Sequence, residues 1–306
     1  MTLNEPVLLV AFNRPDLLRG LIDALREVEP QTVYLAVDGP RADRPSEAVR
    51  VQACRDLVAE IDWTTDIHTN FQPTNLGCGP GVTAAVTWFF DNVERGIILE
   101  DDIRPDPSFY AYCTTMLDRY ESDDRVFAIT GCNVVDDPTK LEAQDLYRFS
   151  QYMHVWGWAG WRRTWRQHEL DARGWWHKIS PWRFADACSF SPSAILYWAA
   201  NLELTARGYV DTWDWQLSFA AMRSKQLVVV PNGNLVSNVG FGEGATHTHE
   251  DESGLPVQAA MPAEIPVVAI KRNRAADYWE LRHHYRATVI GGLDRFRVYF
   301  RDRKGH

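Results

Sequence analysis

The chain reads as an α/β protein: a doubly wound, mostly parallel mixed sheet flanked by helices, followed by a Trp-rich half. Three observations predict this. Short apolar runs alternate with stretches whose apolar residues recur at helical spacing. Nearly every apolar run in the first half stops at a polar turn. The run Ile97-Ile98-Leu99 passes straight into Glu100-Asp101-Asp102. That places three acids at the carboxyl end of a buried strand, the edge at which open α/β sheets bind ligands.

Residues 6–12 (PVLLVAF) form the first strand, stopped by Asn13-Arg14-Pro15. Leu17, Leu18, Leu21, Ile22, Leu25 and Val28 then trace a helix whose first turn suits Pro15. Residues 33–37 are a second strand, ended by Asp38-Gly39-Pro40, and a polar helix covers 45–61. Residues 66–71 are a third strand. The glycine-rich loop 75–81 (NLGCGPG) precedes a helix over 82–93. Residues 97–99 and 126–130 are the fourth and fifth strands, with an apolar helical segment after Pro105 and Pro107. Parallel order through about residue 135 brings Asn13-Arg14, Asp38-Gly39, the 75–81 loop and the acids to one edge, as in a nucleotide site. The second half contains the segment 155–165 (VWGWAGWRRTW), a helix over 195–207, Trp213-Asp214-Trp215 within 210–219, and a strand over 226–231. A Gly-, Thr- and His-rich mobile loop over 238–249 and an irregular 250–266 precede a helix over 278–288.

With 306 residues the chain holds one large or two smaller domains. A net charge of −9 argues against a general nucleic-acid binder. From Lys271 onward the chain carries about +6, against about −15 for the rest. There is no signal-peptide pattern and no apolar run of the ~18 residues a membrane span needs. Five cysteines without a CxxC pair suggest neither zinc nor a disulfide framework, so a reducing cytoplasm is expected. Thirteen tryptophans are the anomaly, and ten of them lie between Trp156 and Trp215.

Three adjacent acids repel one another, and a hard divalent cation carrying a diphosphate would offset them. The plain alternative is a polar strand-to-helix turn in which Asp106 caps the next helix. The motifs also carry a likeness. The chain resembles inverting glycosyltransferases of the glycosyltransferase A (GT-A) fold, in particular N-acetylglucosaminyltransferase I and related bacterial nucleotide-sugar transferases. Glu100-Asp101-Asp102 follows a strand as in that family. Trp213-Asp214-Trp215-Gln216 is similar to its Trp-Asp-Asp-Trp segment, with one Asp fewer. Phe241-Gly242-Glu243-Gly244-Ala245-Thr246-His247 is similar to its Phe-Gly-x-x-Gly-x-Ser-His loop, one residue shorter. The likeness spans roughly residues 5–250.

The resemblance implies a nucleotide-sugar-binding half over 1–135, an acceptor-binding and catalytic half over 136–270 with a mobile loop at about 238–250, and a basic segment over 271–306. It implies Asp102 as the ligand of Mn2+ (or Mg2+), with Glu100 and Asp101 seating the nucleotide and sugar. One carboxylate cannot fill six positions, so diphosphate and water would complete the shell. Asp214 is the expected general base, its flanking tryptophans desolvating it, with Asp211 as competitor. A helix-capping Asp between two core tryptophans is the plain reading. Asp38, Asn13 and Arg14 are expected at the base and ribose, Asp38 accepting from a uracil ring nitrogen, so UDP is the favoured carrier. Asn75 and Gly77 belong to a loop where backbone approaches something closely, and His247 lies on the loop over the bound donor. Most tryptophans should be core, with Trp156 and Trp158 offered to sugar. The acceptor would be a glycan or lipid-linked saccharide, in surface-polysaccharide or glycoconjugate assembly. The basic-aromatic run 295–301 could rest on anionic lipid at the inner face of the plasma membrane. Two other functions fit parts of the sequence: a sugar-phosphate nucleotidyltransferase, and a Trp-rich carbohydrate-binding protein without catalysis.

Overall fold

The computed structural model describes residues 3–240 and 261–288. In chain order the elements are β1 (Val7–Ala11), α1 (Pro15–Leu25), β2 (Thr32–Val37), α2 (Ser46–Asp56), β3 (Asp66–Phe71), α3 (Cys78–Asn92), β4 (Arg95–Glu100), β5 (Ile103–Pro105), α4 (Pro107–Arg119), β6 (Val126–Thr130), β7 (Tyr147–Ser150), β8 (Trp158–Trp161), α5 (Arg162–Trp165), α6 (Pro181–Ala187), α7 (Pro192–Ala206), α8 (Asp214–Ser224), β9 (Leu227–Pro231), β10 (Val236–Asn238) and α9 (Arg274–His283). Eight strands form one mixed sheet in the order β3-β2-β1-β4-β8-β6-β9-β7. β3, β2, β1 and β4 run parallel, and β6 and β9 share their direction; β8 and β7 run the other way. The carboxyl ends of β1, β2, β3 and β4 therefore meet at one edge. β1, β2 and β4 are apolar on both faces because helices cover both.

On one face Leu18, Leu21, Ile22 and Leu25 of α1 pack with Phe109 and Met116 of α4. On the other, Val86, Phe89 and Phe90 of α3 pack with Trp158, Trp165, Trp213 and Leu217. A third cluster joins α6, α7 and the end of α9 around Trp198 and Tyr152, whose rings stack at 5.7 Å. Among the described residues no helix is long and apolar enough to cross a membrane.

The sheet holds two strands that the sequence did not mark, β7 at its edge and β8 in its middle. β4 pairs with β8, not with the next parallel strand, and β8 separates it from β6. Trp158-Ala159-Gly160-Trp161 shows no alternation that marks it as a strand, since both its faces are buried. Trp158 fills the α3 side, and a Cβ on Gly160 would lie 3.2 Å from its ring. Trp158 is 3 % exposed and packs against Phe90, Trp165 and Trp213, so it has no face left for a sugar. Helix α3 also begins earlier than expected, at Cys78, for a reason given below.

His168 shows how firmly this core is built. Its ring stacks on Trp165 at 4.4 Å and its Nε2 meets the Trp213 carbonyl at 3.2 Å. Burial holds its pKa down to about 4. An unfolded chain therefore takes up a proton between pH 6.5 and 4 that the folded chain refuses, so this group lowers stability as pH falls through that window. Against a His168→Phe variant, the wild type should lose on the order of 2–3 kcal/mol of relative stability from pH 6.5 to 4 in denaturant melts. A constant difference across that range would contradict the buried neutral imidazole.

Candidate functional site

The loops after β1, β2, β3 and β4 surround a cleft of about 980 Å³. Asn13, Arg14, Asp38, Asn75, Gly77, Glu100 and Asp101 all line it. At its inner end Arg14, on the turn after β1, joins two of the acids. Its guanidinium bonds the buried Asp101 carboxylate, with Nε–Oδ2 at 3.3 Å, and lies 3.0 Å from Asp102 Oδ2. Arg104 steadies the turn by donating to the Asp101, Ile103 and Leu17 carbonyls at 2.7–3.0 Å. Burial raises the Asp101 pKa to about 6 despite Arg14. Burial and then the charges of Asp102 and Asp101 raise Glu100 to about 8. The acids thus crowd one another, and an added cation would relieve them.

The Asp102 side chain is 15 % exposed, against 2 % for Asp101. Among the described residues no three His, Cys, Asp or Glu side chains converge on one point. A cation at these acids would find fewer than three such protein ligands among the described residues, so substrate oxygens and water would have to complete its shell. The antiparallel pair β5–β10 brings the later chain to this point: Val239 N donates to the Asp102 carbonyl at 2.9 Å, and Gly240 sits where a Cβ would collide with the Asp102 carboxylate. The segment that continues from Gly240, including His247 and most of the 238–250 loop, lies outside the described residues, as does the basic run 295–301.

Asp38 has a local structural part. Its carboxylate accepts from Gly39 N at 2.8 Å, Asn75 Nδ2 at 2.9 Å and Leu76 N at 3.0 Å. It thereby shapes the 75–77 turn. Asn75 also donates to the Gly39 carbonyl at 3.1 Å. Asn13 gives its carbonyl to Arg50 Nε at 2.7 Å.

Asp211 explains the glycine-rich loop. Its two oxygens accept from Cys78 N at 2.9 Å and Gly79 N at 2.8 Å. It is the missing N-terminal cap of α3, delivered from 133 residues along the chain. Gly77 has φ of +90°, and a Cβ there would lie 2.8 Å from Asp211 Oδ2. A Cβ on Gly79 would lie 2.8 Å from Asp211 Oδ1. Asp211→Ala should destabilise the chain by about 1–2 kcal/mol, the range for a lost cap, and lower the melting temperature. An unchanged melt would remove Asp211 from this part.

Asp214 is the first residue of α8. It follows the N-cap residue Trp213, and its carboxylate accepts from the Thr212 hydroxyl. It stands close enough to Glu100 for its charge to raise that residue's pKa further. Trp213 is sunk in the α3-side core, while Trp215 packs edge-on against Trp198 at 4.9 Å. The two rings fix the start of α8 from opposite sides of the chain.

Sequence reasoning passed over the arginines at the outer end of the cleft. Arg41, Arg44 and Arg50 line it beside Glu47. They follow Asp38-Gly39-Pro40 within a polar stretch that reads as a solvated helix, and only their recurrence every three to six residues marks them.

No family model matches the chain. Among solved structures it is similar to a mannose-1-phosphate geranyltransferase from Thermus thermophilus, at 14% identity and TM-score 0.35, covering 74% of this chain and 73% of that one. It is also similar to a Pyrobaculum calidifontis mannosyltransferase determined with GDP-Man and Mn2+, at 14% identity and TM-score 0.37, covering 73% of this chain and 74% of that one. A third likeness is to HddC from Yersinia pseudotuberculosis, at 11% identity and TM-score 0.33, covering 52% of this chain and 77% of that one. Overlays with TM-scores of 0.33 to 0.37 carry no assignment of fold or activity.

Proposed function

We propose that the chain is a metal-dependent, inverting glycosyltransferase of GT-A type, moving a sugar from a nucleoside diphosphate to a hydroxyl of a glycan or lipid-linked saccharide. The observation that carries this reading is the ion pairing of Arg14 with Asp101 and Asp102 beside a cleft that Arg14, Glu100 and Asp101 line, with Asp214 within electrostatic reach of Glu100. A divalent cation on Asp102 would neutralise the departing diphosphate. Arg14 holds Asp101 and Asp102 together and adds a second positive charge beside them. Asp101, buried and paired, orients Arg14. Asp214, held by Thr212, accepts the proton of the incoming hydroxyl. One base and one leaving group give a single displacement and inversion. The tryptophans behind Asp214 keep the start of α8 in place.

The test is product analysis with Mn2+ present. Nucleoside-diphosphate sugars and saccharide acceptors should yield free nucleoside diphosphate and a glycoside of inverted configuration. Pyrophosphate formed from a nucleoside triphosphate and a sugar 1-phosphate would show a nucleotidyltransferase instead. Saccharide binding without either product would show a carbohydrate-binding protein.

A further inference from the structure

We propose that the outer end of the cleft is a guanine site in which Arg41 reads the O6/N7 edge of the base; this rests on the cleft being a nucleotide-sugar site. The two acids of this wall are already engaged. Both oxygens of Asp38 accept from the 75–77 turn and Gly39, so a uracil ring N–H would compete with three donors already in place. Glu47, only 7 % exposed, is held by Arg41, whose Nε lies 3.0 and 2.9 Å from its two oxygens and whose backbone N lies 3.3 Å away. Arg41 Nη2 also reaches Glu47, and Arg44 stands at 3.8 Å. The charged groups that this wall turns to the cleft are therefore donors.

Arg41 is pre-organised for a planar partner. Glu47 takes the Nε side of its guanidinium, and Arg41 Nη1 has no protein partner among the described residues. The remaining Nη1/Nη2 edge presents two parallel N–H groups. The guanidinium also lies over the Phe12 ring at 5.4 Å, a contact that helps to hold its plane. Two parallel donors match two adjacent acceptors. Guanine offers O6 and N7, and cytosine offers O2 and N3 on a smaller ring, so the CDP arm of the test below separates the two; adenine pairs N7 with a donor amine, and uracil has no two adjacent acceptors.

The experiment is equilibrium binding to the full-length protein with Mn2+, using GDP, IDP, 7-deaza-GDP, CDP, UDP and ADP. GDP and IDP share O6 and N7 and should bind alike. 7-deaza-GDP, CDP, UDP and ADP should bind on the order of tenfold more weakly. Arg41→Gln should remove GDP's advantage and leave UDP affinity unchanged. UDP, CDP or ADP binding as tightly as GDP would overturn the guanine site and leave the nucleotide-sugar reading standing. So would 7-deaza-GDP matching GDP, a result that needs no variant. Failure of every nucleoside diphosphate to bind would overturn both.

Discussion

Asp214→Asn should cut the rate of sugar transfer by ~10²–10⁴-fold, the usual contribution of a general base, while donor affinity stays nearly constant. The substitution keeps the shape of the side chain and a partner for Thr212, so the Trp213 and Trp215 packing should survive. Initial rates and nucleotide binding measured on the same preparation separate the two effects. An undiminished rate would remove Asp214 as the base. Asp211, which lines the cleft and whose oxygens each accept one N–H at the start of α3, would then be tested next.

Asp102→Asn should abolish the Mn2+-dependent part of nucleoside-diphosphate binding. Asp102 sits at the end of β4 with no place in the hydrophobic core, and Arg14 keeps its bonds to Asp101 without it. The fold should therefore persist, visible as an unchanged melting temperature in the absence of metal. Calorimetry with and without Mn2+ reads the effect directly. Equal metal-dependent affinity in variant and wild type would move the cation elsewhere.

The parallel strands were legible because each is an apolar run buried on both faces and closed by a polar turn. Their order put Arg14, Asp38, Asn75 and the three acids on one edge, and the structure lines one cleft with Arg14, Asp38, Asn75, Glu100 and Asp101, with Asp102 against Arg14. Strand β8 was hidden because Trp-Ala-Gly-Trp carries neither alternation nor β-branched residues; its neighbours on the sheet define it. Gly77 and Gly79 announced a close approach, but not by what. Asp211 lies so far along the sequence that only the folded chain joins them. The desolvation expected around Asp214 takes a different form: its tryptophans turn into two cores and position the helix rather than enclosing the carboxylate. The arginines after β2 looked like a solvated helix because their partner Glu47 and the cleft they face are tertiary features.

The cleft with Asp102 at its inner end is the centre of this account, and anomalous diffraction at the manganese edge from crystals grown with Mn2+ and a nucleoside diphosphate tests it most directly. The account predicts one manganese peak on the Asp102 carboxylate, bridged to the diphosphate, with the base toward Arg41. A peak held by other residues, or a nucleotide lying outside the cleft, would contradict it.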